Sequence, residues 1–456
     1  MKLWSHQQEA LDFVNEKPGA LLAMDMGTGK SAVAIAALEQ RTCTSVLILC
    51  PKSVASVWPE QFAKHATQPW QIAVLADKSM DKRRKRLQAV LAAPARQPRA
   101  VIVNYDVLPY ALGADLEAAA KRRQWDALIL DECHRLKSAR GKQSRAASRI
   151  ADRCEFRLGL TGTPMPHSPL DVYAQFRALD KRVYGTSHAA FRSRYAIMGG
   201  YQNHQVVGYQ QLADLHERMY RITYRCRANE VLDLPPAVDM TRTCTLEKAT
   251  RQAYDSMADD LIAAVKQGII TADNALVKLL RLAQIVNGHA TTEDGDSVSL
   301  GTEKRDLLGD VLDDLHGDYN LTQQEPVVVF TRFRPDLRAI REVAAEKGLR
   351  HGELSGRAND LEQWHDHKLD LLAVQLQAGG VGIDLTRARY CIYYSHDFSL
   401  GNDAQTRARV HRPGQTRPVT YIHLVAEHTI DEDIRRALER RADVVAAVLE
   451  GLTTRA

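Results

Sequence analysis

Residues 24–31, Met-Asp-Met-Gly-Thr-Gly-Lys-Ser, follow the short apolar run Ala20–Met24 and precede an alanine-rich stretch. A strand, a Gly-x-Gly-Lys-Ser turn and a helix leave backbone N–H groups converging on an anion, at the helix end that favours negative charge. Gly27, Thr28 and Gly29 would cradle phosphates, Lys30 would reach the β and γ groups, and Ser31 would hold Mg2+. Met24 stands where the strict pattern has its first glycine. That departure is tolerable, because close backbone approach occurs around Gly27 and Gly29. A plain glycine turn before a helix is the alternative for this stretch alone.

A second group narrows the choice. In Trp125-Asp-Ala-Leu-Ile-Leu-Asp-Glu-Cys-His134 the carboxylates Asp131 and Glu132 come where an apolar strand should end. Ligands of open α/β sheets bind there, so Asp131 could hold the metal and Glu132 could act as general base on an attacking water. A third group, Gln405, Arg409 and Arg412, is spaced by four and then three residues, which shares one helix face. Two such arginines could neutralise charge on a transferring phosphoryl group; a solvated basic helix fits the same spacing.

The elements that must position these groups alternate along the chain. ALLAM, SVLILC, AVIVNY, ALILDE and RLGLTGTP are short β-type runs separated by helical stretches within residues 19–170. This alternation predicts a parallel sheet covered by helices. Residues 171–315 read as mostly helical, with boundary signals at LDLPPAVD and TTEDGDSVSLGTE. VVVFT, LLAVQL, YCIYYS and VTYIHLV then restore the β pattern between 327 and 425.

Composition sets limits on the rest. The chain has 456 residues, room for two or three cores, and a net charge of only +5, which permits nucleic-acid binding without demanding it. Arginine outnumbers lysine 43 to 18, which suits phosphate recognition and equally reflects a GC-rich genome. Seven dispersed cysteines without a Cys-x-x-Cys pair argue for a reducing compartment and against zinc knuckles. No signal-peptide core and no run of about 18 apolar residues is present, so a soluble, cytoplasmic protein without a membrane partner is expected.

Taken in order, LWSHQQEAL, MDMGTGKS, LILCPKSVASVWPEQF, VIVNYDVL, LILDECHRLKS, LGLTGTPMPHSPLDVY, VVVFTRF, AVQLQAGGVGIDLT and QTRARVHRPGQ resemble the superfamily-two helicases, and within them the Swi/Snf-like ATPases. YRCRANEVLDLPP and LLRLAQIVNGH add to the subgroup match. The resemblance implies an α/β fold of two RecA-like parallel-sheet lobes, residues 1–235 and 236–456, with helical protrusions between them. ATP and Mg2+ are the implied cofactors. By position, Gln7 would read adenine, Gly382 would lie at the interlobe cleft, and Gln405, Arg409 and Arg412 would complete the ATP site from the second lobe. Thr161, Gly162 and Thr163 would couple hydrolysis to lobe movement. Lys52, Tyr105, Arg332 and Arg334 match positions near DNA, although surface solvation explains each equally well. Asp384 and His167 stand where the family has Asn, His6 where it has an aromatic, and Ala408 where it has an acid.

The implied activity is DNA-dependent ATP hydrolysis with tracking along duplex DNA and no strand separation, by a monomer that remodels or displaces a bound protein. A strand-separating DNA or RNA helicase and an ATP-gated DNA-binding scaffold are the alternatives. A bacterial cell or a phage-infected host is the expected setting rather than a nucleus. Among other prominent residues, Trp58 reads as packing against the first sheet, Trp4 as flanking adenine or covering core, Cys133 as a small core residue, and the run 81–86 as a solvated helix face.

Overall fold

The computed structural model describes residues 3–432, 434 and 435, apart from 94–96, 166–167, 200–204, 267–271, 292–296, 317–324, 378–382 and 398–399. The described residues divide into two compact units between Asp233 and Leu234, inside Leu-Asp-Leu-Pro-Pro.

In the first unit, β1 (Gly19–Met24), β2 (Ser45–Cys50), β3 (Gln71–Val74), β4 (Arg99–Asn104), β5 (Ala127–Asp131) and β6 (Phe156–Thr161) come in chain order. A hairpin, β7 (Ala196–Gly199) with β8 (Gln205–Tyr209), precedes β9 (Thr223–Cys226). The seven-stranded sheet runs β3-β4-β2-β5-β6-β1-β9, and every pair is parallel. A parallel sheet is covered on both faces, which is why β1, β2 and β5 are buried at every residue and read as unbroken apolar runs. The order β5-β6-β1 matters most for chemistry. Asp131 pairs in register with Leu160, and Thr161 with Ala23, so three chain segments emerge side by side from one sheet edge.

In the second unit, β10 (Ala237–Cys244) is followed by the hairpin β11 (His289–Thr291) and β12 (Ser297–Ser299). Then come β13 (Val327–Thr331), β14 (His351–Leu354), β15 (Leu371–Gln375), β16 (Tyr390–Tyr393) and β17 (Val419–Ala426). Their sheet, β10-β17-β16-β13-β15-β14, is also wholly parallel. Apolar clusters line both of its faces: Leu308, Val327 and Ile340 on one, Phe330, Trp364 and Tyr421 on the other.

The stretch 171–315 is mostly helical, as its periodicity suggests, but it is not one piece. Helices Leu212–Tyr220, Lys248–Lys266 and Ala272–Val286 are present, but β9 returns to the first sheet and β10 opens the second. Both are edge strands. Burial along β10 is slight, so alternation of Thr and Arg replaces the apolar run that marks a central strand. Of the YCIYYS cluster, Tyr390–Tyr393 form β16, and Tyr393 and Tyr394 are almost fully buried.

Candidate active site

β1 ends at Met24, and the helix Lys30–Gln40 begins after Gly29. Gly27 and Gly29 have φ of 81° and 91°, the left-handed region in which a side chain is strained. A Cβ on Gly29 would also come within 2.2 Å of Gln7 Nε2. Met24 needs no such freedom, because it is the last strand residue, with its side chain fully buried and its carbonyl accepting from Lys30 Nζ at 2.7 Å. The missing first glycine is thereby explained. Lys30 Nζ also donates to the Asp25 carbonyl at 3.0 Å.

The loop is braced from both sides. His6 Nε2 and Gln7 Nε2 meet the Thr28 carbonyl at 2.9 and 3.1 Å, and the buried Thr28 hydroxyl donates to the Asp25 carbonyl at 2.7 Å. Gln7 Oε1 accepts from the Trp4 amide at 3.1 Å. A carboxamide has two donors and two acceptor lone pairs, so Gln7 keeps one of each for a ligand. Trp4 is half exposed and lies 5.6 Å from the His6 ring, and so is not a core residue. On the other side, Asp25 Oδ2 accepts from the Ala228 amide at 2.9 Å, just beyond β9.

Asp131 and Glu132 stand where β5 ends, both nearly buried. Asp131 Oδ2 accepts from the Trp58 indole at 3.0 Å, and the Asp131 carbonyl accepts from the Tyr105 hydroxyl at 2.9 Å. Glu132 has φ 51°, uncommon for a residue with a side chain and frequent at functional turns. Its Oε2 lies 3.2 Å from His134 Nδ1, which is 2.9 Å from Thr161 Oγ1. The Thr163 amide donates to that same hydroxyl at 3.1 Å. A continuous polar path therefore joins Glu132 to Thr161 and Thr163, with Gly162 between them.

Burial, and then the charge of Glu132, push the Asp131 carboxyl up; Trp58 and Lys30 pull the other way. Burial acts likewise on Glu132, but the hydrogen bond and charge of His134, with Lys30 and Arg135, outweigh it and hold that carboxyl down. The pair thus separates into one carboxyl that retains its proton more readily and one that stays ionised. A divalent cation at Asp131 would oppose that rise, because a carboxylate ligates metal in its ionised form.

In the second unit, the helix Leu400–Val410 carries Gln405 and Arg409 on one face, but it ends before Arg412. Pro413 disfavours helix at the residue before it, and Gly414 turns the chain with φ 106°, so Arg412 lies in the turn and the shared face covers only two of the three. Arg409 is buried, whereas Arg412 donates to the Ile383 carbonyl at 3.3 Å. Asp384 Oδ1 accepts from the Thr386 amide and hydroxyl at 2.9 and 2.7 Å. Burial would raise its carboxyl, yet these bonds and the charge of Arg412 hold it low. Gly382 and His167 lie outside the described residues.

Of the four residues matched to positions near DNA, Lys52 and Arg334 are exposed. The other two require correction. Tyr105 is only 2% exposed and supports Asp131 through its hydroxyl, so no duplex can touch its ring. Arg332 forms a largely buried ion pair with Asp397. The residues that sequence reasoning passed over are Trp58, His134 and Asp25. Trp58 does pack on Phe62, as its apolar surroundings suggest, but only the fold reveals the indole's carboxylate partner. For His134 a signal existed in its place beside Asp-Glu-Cys.

Comparison with known proteins matches residues 6–291 to the SNF2-related domain and residues 303–414 to the helicase conserved C-terminal domain. The chain belongs to the SNF2-related family. It is accordingly a helicase-like ATPase with two parallel-sheet units. Among SNF2 relatives, mouse chromodomain-helicase-DNA-binding protein 1-like is 23% identical over 99% of this chain and 50% of its own length. This chain thus spans about half of that relative. Putative protein p41 of Acyrthosiphon pisum secondary endosymbiont phage 1 is 26% identical, over 94% of this chain and 93% of its own. The solved Sulfolobus solfataricus SWI2/SNF2 ATPase core in complex with dsDNA is 21% identical, with a TM-score of 0.44, over 99% of this chain and 94% of that one. No helix among the described residues is long and apolar enough to cross a membrane.

Proposed function

We propose that this SNF2-family ATPase hydrolyses ATP in response to duplex DNA and tracks along it without separating the strands, displacing what is bound there. The observation that carries the reading is the polar path from Glu132 through His134 to Thr161, because it links a water-orienting carboxylate to the end of the neighbouring strand. A change at the nucleotide can therefore be felt one strand away. The SNF2-related match over residues 6–291 and a relative named as a helicase-DNA-binding protein support the same reading.

The proposed roles follow from chemistry. The amides of Gly27–Ser31 and the Lys30 ammonium bind phosphates, and the spare donor and acceptor of Gln7 pair with the base. Mg2+ is held through few protein ligands plus substrate phosphates, and Ser31 with Asp131 supplies such a partial set. When bound, the ion neutralises charge on the transferring group. Glu132 orients water and takes its proton. The proposed role of Arg409 and Arg412 is to offset the charge that develops on the phosphoryl group; Lys52 and Arg334 are proposed to meet DNA phosphates.

Steady-state hydrolysis by the purified chain, with no nucleic acid, duplex DNA, single-stranded DNA or RNA, tests this. Duplex-specific stimulation, together with displacement of a third strand from a triplex and no unwinding of a forked duplex, is the expected outcome. Stimulation by single strands or RNA alone would replace it with a strand-separating helicase.

A further inference from the structure

The first unit contains a second cationic site remote in sequence from the phosphate loop. A cavity of about 310 Å3 opens between the helices Lys142–Ala151 and Val172–Leu179, with His188 at its wall. Arg145, Arg149 and Arg177 line it, together with Ser148 and Tyr173, and none of Gly27–Ser31 does.

Two of the arginines are fixed from behind. Arg149 donates Nε and a terminal nitrogen to Glu117 at 2.7 and 2.6 Å, and Arg177 donates both terminal nitrogens to Asp152 at 3.0 and 2.8 Å. A guanidinium has five N–H donors, so each keeps three beyond its ion pair, in an orientation already set. Arg145 is exposed and has no carboxylate within ion-pair distance among the described residues. Lys181 lies 3.7 Å from Asp152, and Arg140 and Arg192 stand close to His188. Cations thus outnumber Glu117 and Asp152 around the cavity. Burial pushes the His188 imidazole down, and the positive charges of Arg140 and Arg192 push it further.

We infer that this groove binds a backbone phosphate of nucleic acid, as an anchor separate from Lys52 and Arg334. The chemistry is that of forked donors presented to a phosphodiester. The cavity sits at the lower end of the size range for small-molecule pockets, and Arg145, Arg149 and Arg177 stand on its wall beside the apolar surface of Ala139, Ala174 and Tyr173. Three guanidinium groups around so small a volume suit the phosphate of a polymer backbone that passes over the opening. Arg149 keeps 57% of its side chain exposed, which leaves the groove open to an extended partner. The inference rests on the reading of DNA as the partner.

The test uses the full chain with Arg145→Ala and Arg145→Glu, since Arg145 has no ion pair to lose. Binding of a fluorescent 20-base-pair duplex is followed across salt concentrations, with inorganic pyrophosphate titrated separately. Arg145→Glu should weaken duplex binding about 10-fold near 0.1 M salt and lower the salt slope by about 1, with Arg145→Ala falling between and DNA-free hydrolysis unchanged. Unchanged affinity and slope in both variants would overturn the groove while leaving duplex-stimulated hydrolysis standing. If the wild-type chain binds no duplex, the DNA reading falls, and with it the polymer as occupant. Pyrophosphate binding lost in Arg145→Glu would then show that the groove takes free phosphate instead.

Discussion

Both sheets end in polar residues at the carboxyl edge of their strands, yet the two edges are built differently. In the first, Asp131 and Thr161 sit beside a glycine loop whose lysine is only partly covered. In the second, Thr331 ends β13, and Ser395 follows β16. Both meet Asp336, itself 1% exposed, at its Oδ2. Asn287 donates to the same oxygen at 3.1 Å, and Lys304 bridges Asn287 and Asp431 at 2.9 and 2.6 Å. That edge is sealed. Burial holds the Asp336 carboxyl above the usual carboxylate range, against the pull of His289, Thr331 and Ser395. A buried carboxylate beside the strand ends, here Asp336 in the helix Arg334–Glu346, is thus no site in itself. It becomes one where left-handed glycines leave backbone donors open to a ligand.

Exchanging lysines tests this contrast most severely. Lys30→Ala should cut ATP turnover at least about 100-fold with little change in melting temperature, because the ammonium serves the ligand. Lys304→Met should do the reverse. It leaves Asp431 buried without its cation, at a cost of about 3–5 kcal/mol in chemical denaturation, while turnover per folded molecule persists. Comparable loss of stability in both variants would erase the distinction between the edges.

The polar path in the first unit supplies the next effect. His134→Ala and Thr161→Val should each reduce DNA-stimulated hydrolysis roughly 10-fold, and the double variant should lose little more, since both break one path. Full additivity in the kinetics would show that the two act separately. A step of similar size, read in metal affinity, concerns Trp58→Phe, which deletes one donor to Asp131; the Mg2+ concentration for half-maximal activity should rise about 10-fold.

The smallest effect is one of pH. Burial pushes the His216 imidazole down to about 4, and its Nε2 has no partner. A base with a depressed folded value contributes stability that is full above its ordinary titration near 6.5 and is lost as pH falls toward 4. The buried His423 is lowered as well, but Asp239 accepts from it at 2.7 Å and opposes the shift. Melting of the wild type should therefore fall by roughly 3 °C between pH 7 and 5, and His216→Phe should flatten that profile. An unchanged profile would assign the loss elsewhere.

Sequence patterns revealed what depends on neighbours close along the chain. Central strands such as Ser45–Cys50 and Val327–Thr331 announce themselves because both faces are covered, and the loop Gly27–Ser31 because its conformation demands glycine. Edge strands β3, β9, β10 and β14 carry too little apolar side chain to stand out. Contacts between distant residues were invisible for a different reason. Trp58 and Asp131 are 73 positions apart, and Tyr105 and Asp131 are 26 apart, so nothing local marks either partnership. Arg332 shows the opposite failure: a basic residue after a strand looked like a surface contact until its buried partner Asp397 came into view.

The strand β9 lies parallel to β1, and Ala228 just beyond it holds Asp25 of the phosphate loop. The chain then runs only from Arg227 to Asp233 before the second unit begins. The segment that leaves β9 is therefore laddered to β1 and hydrogen-bonded to the phosphate loop itself, so a change in its path falls on residues that shape the nucleotide cradle.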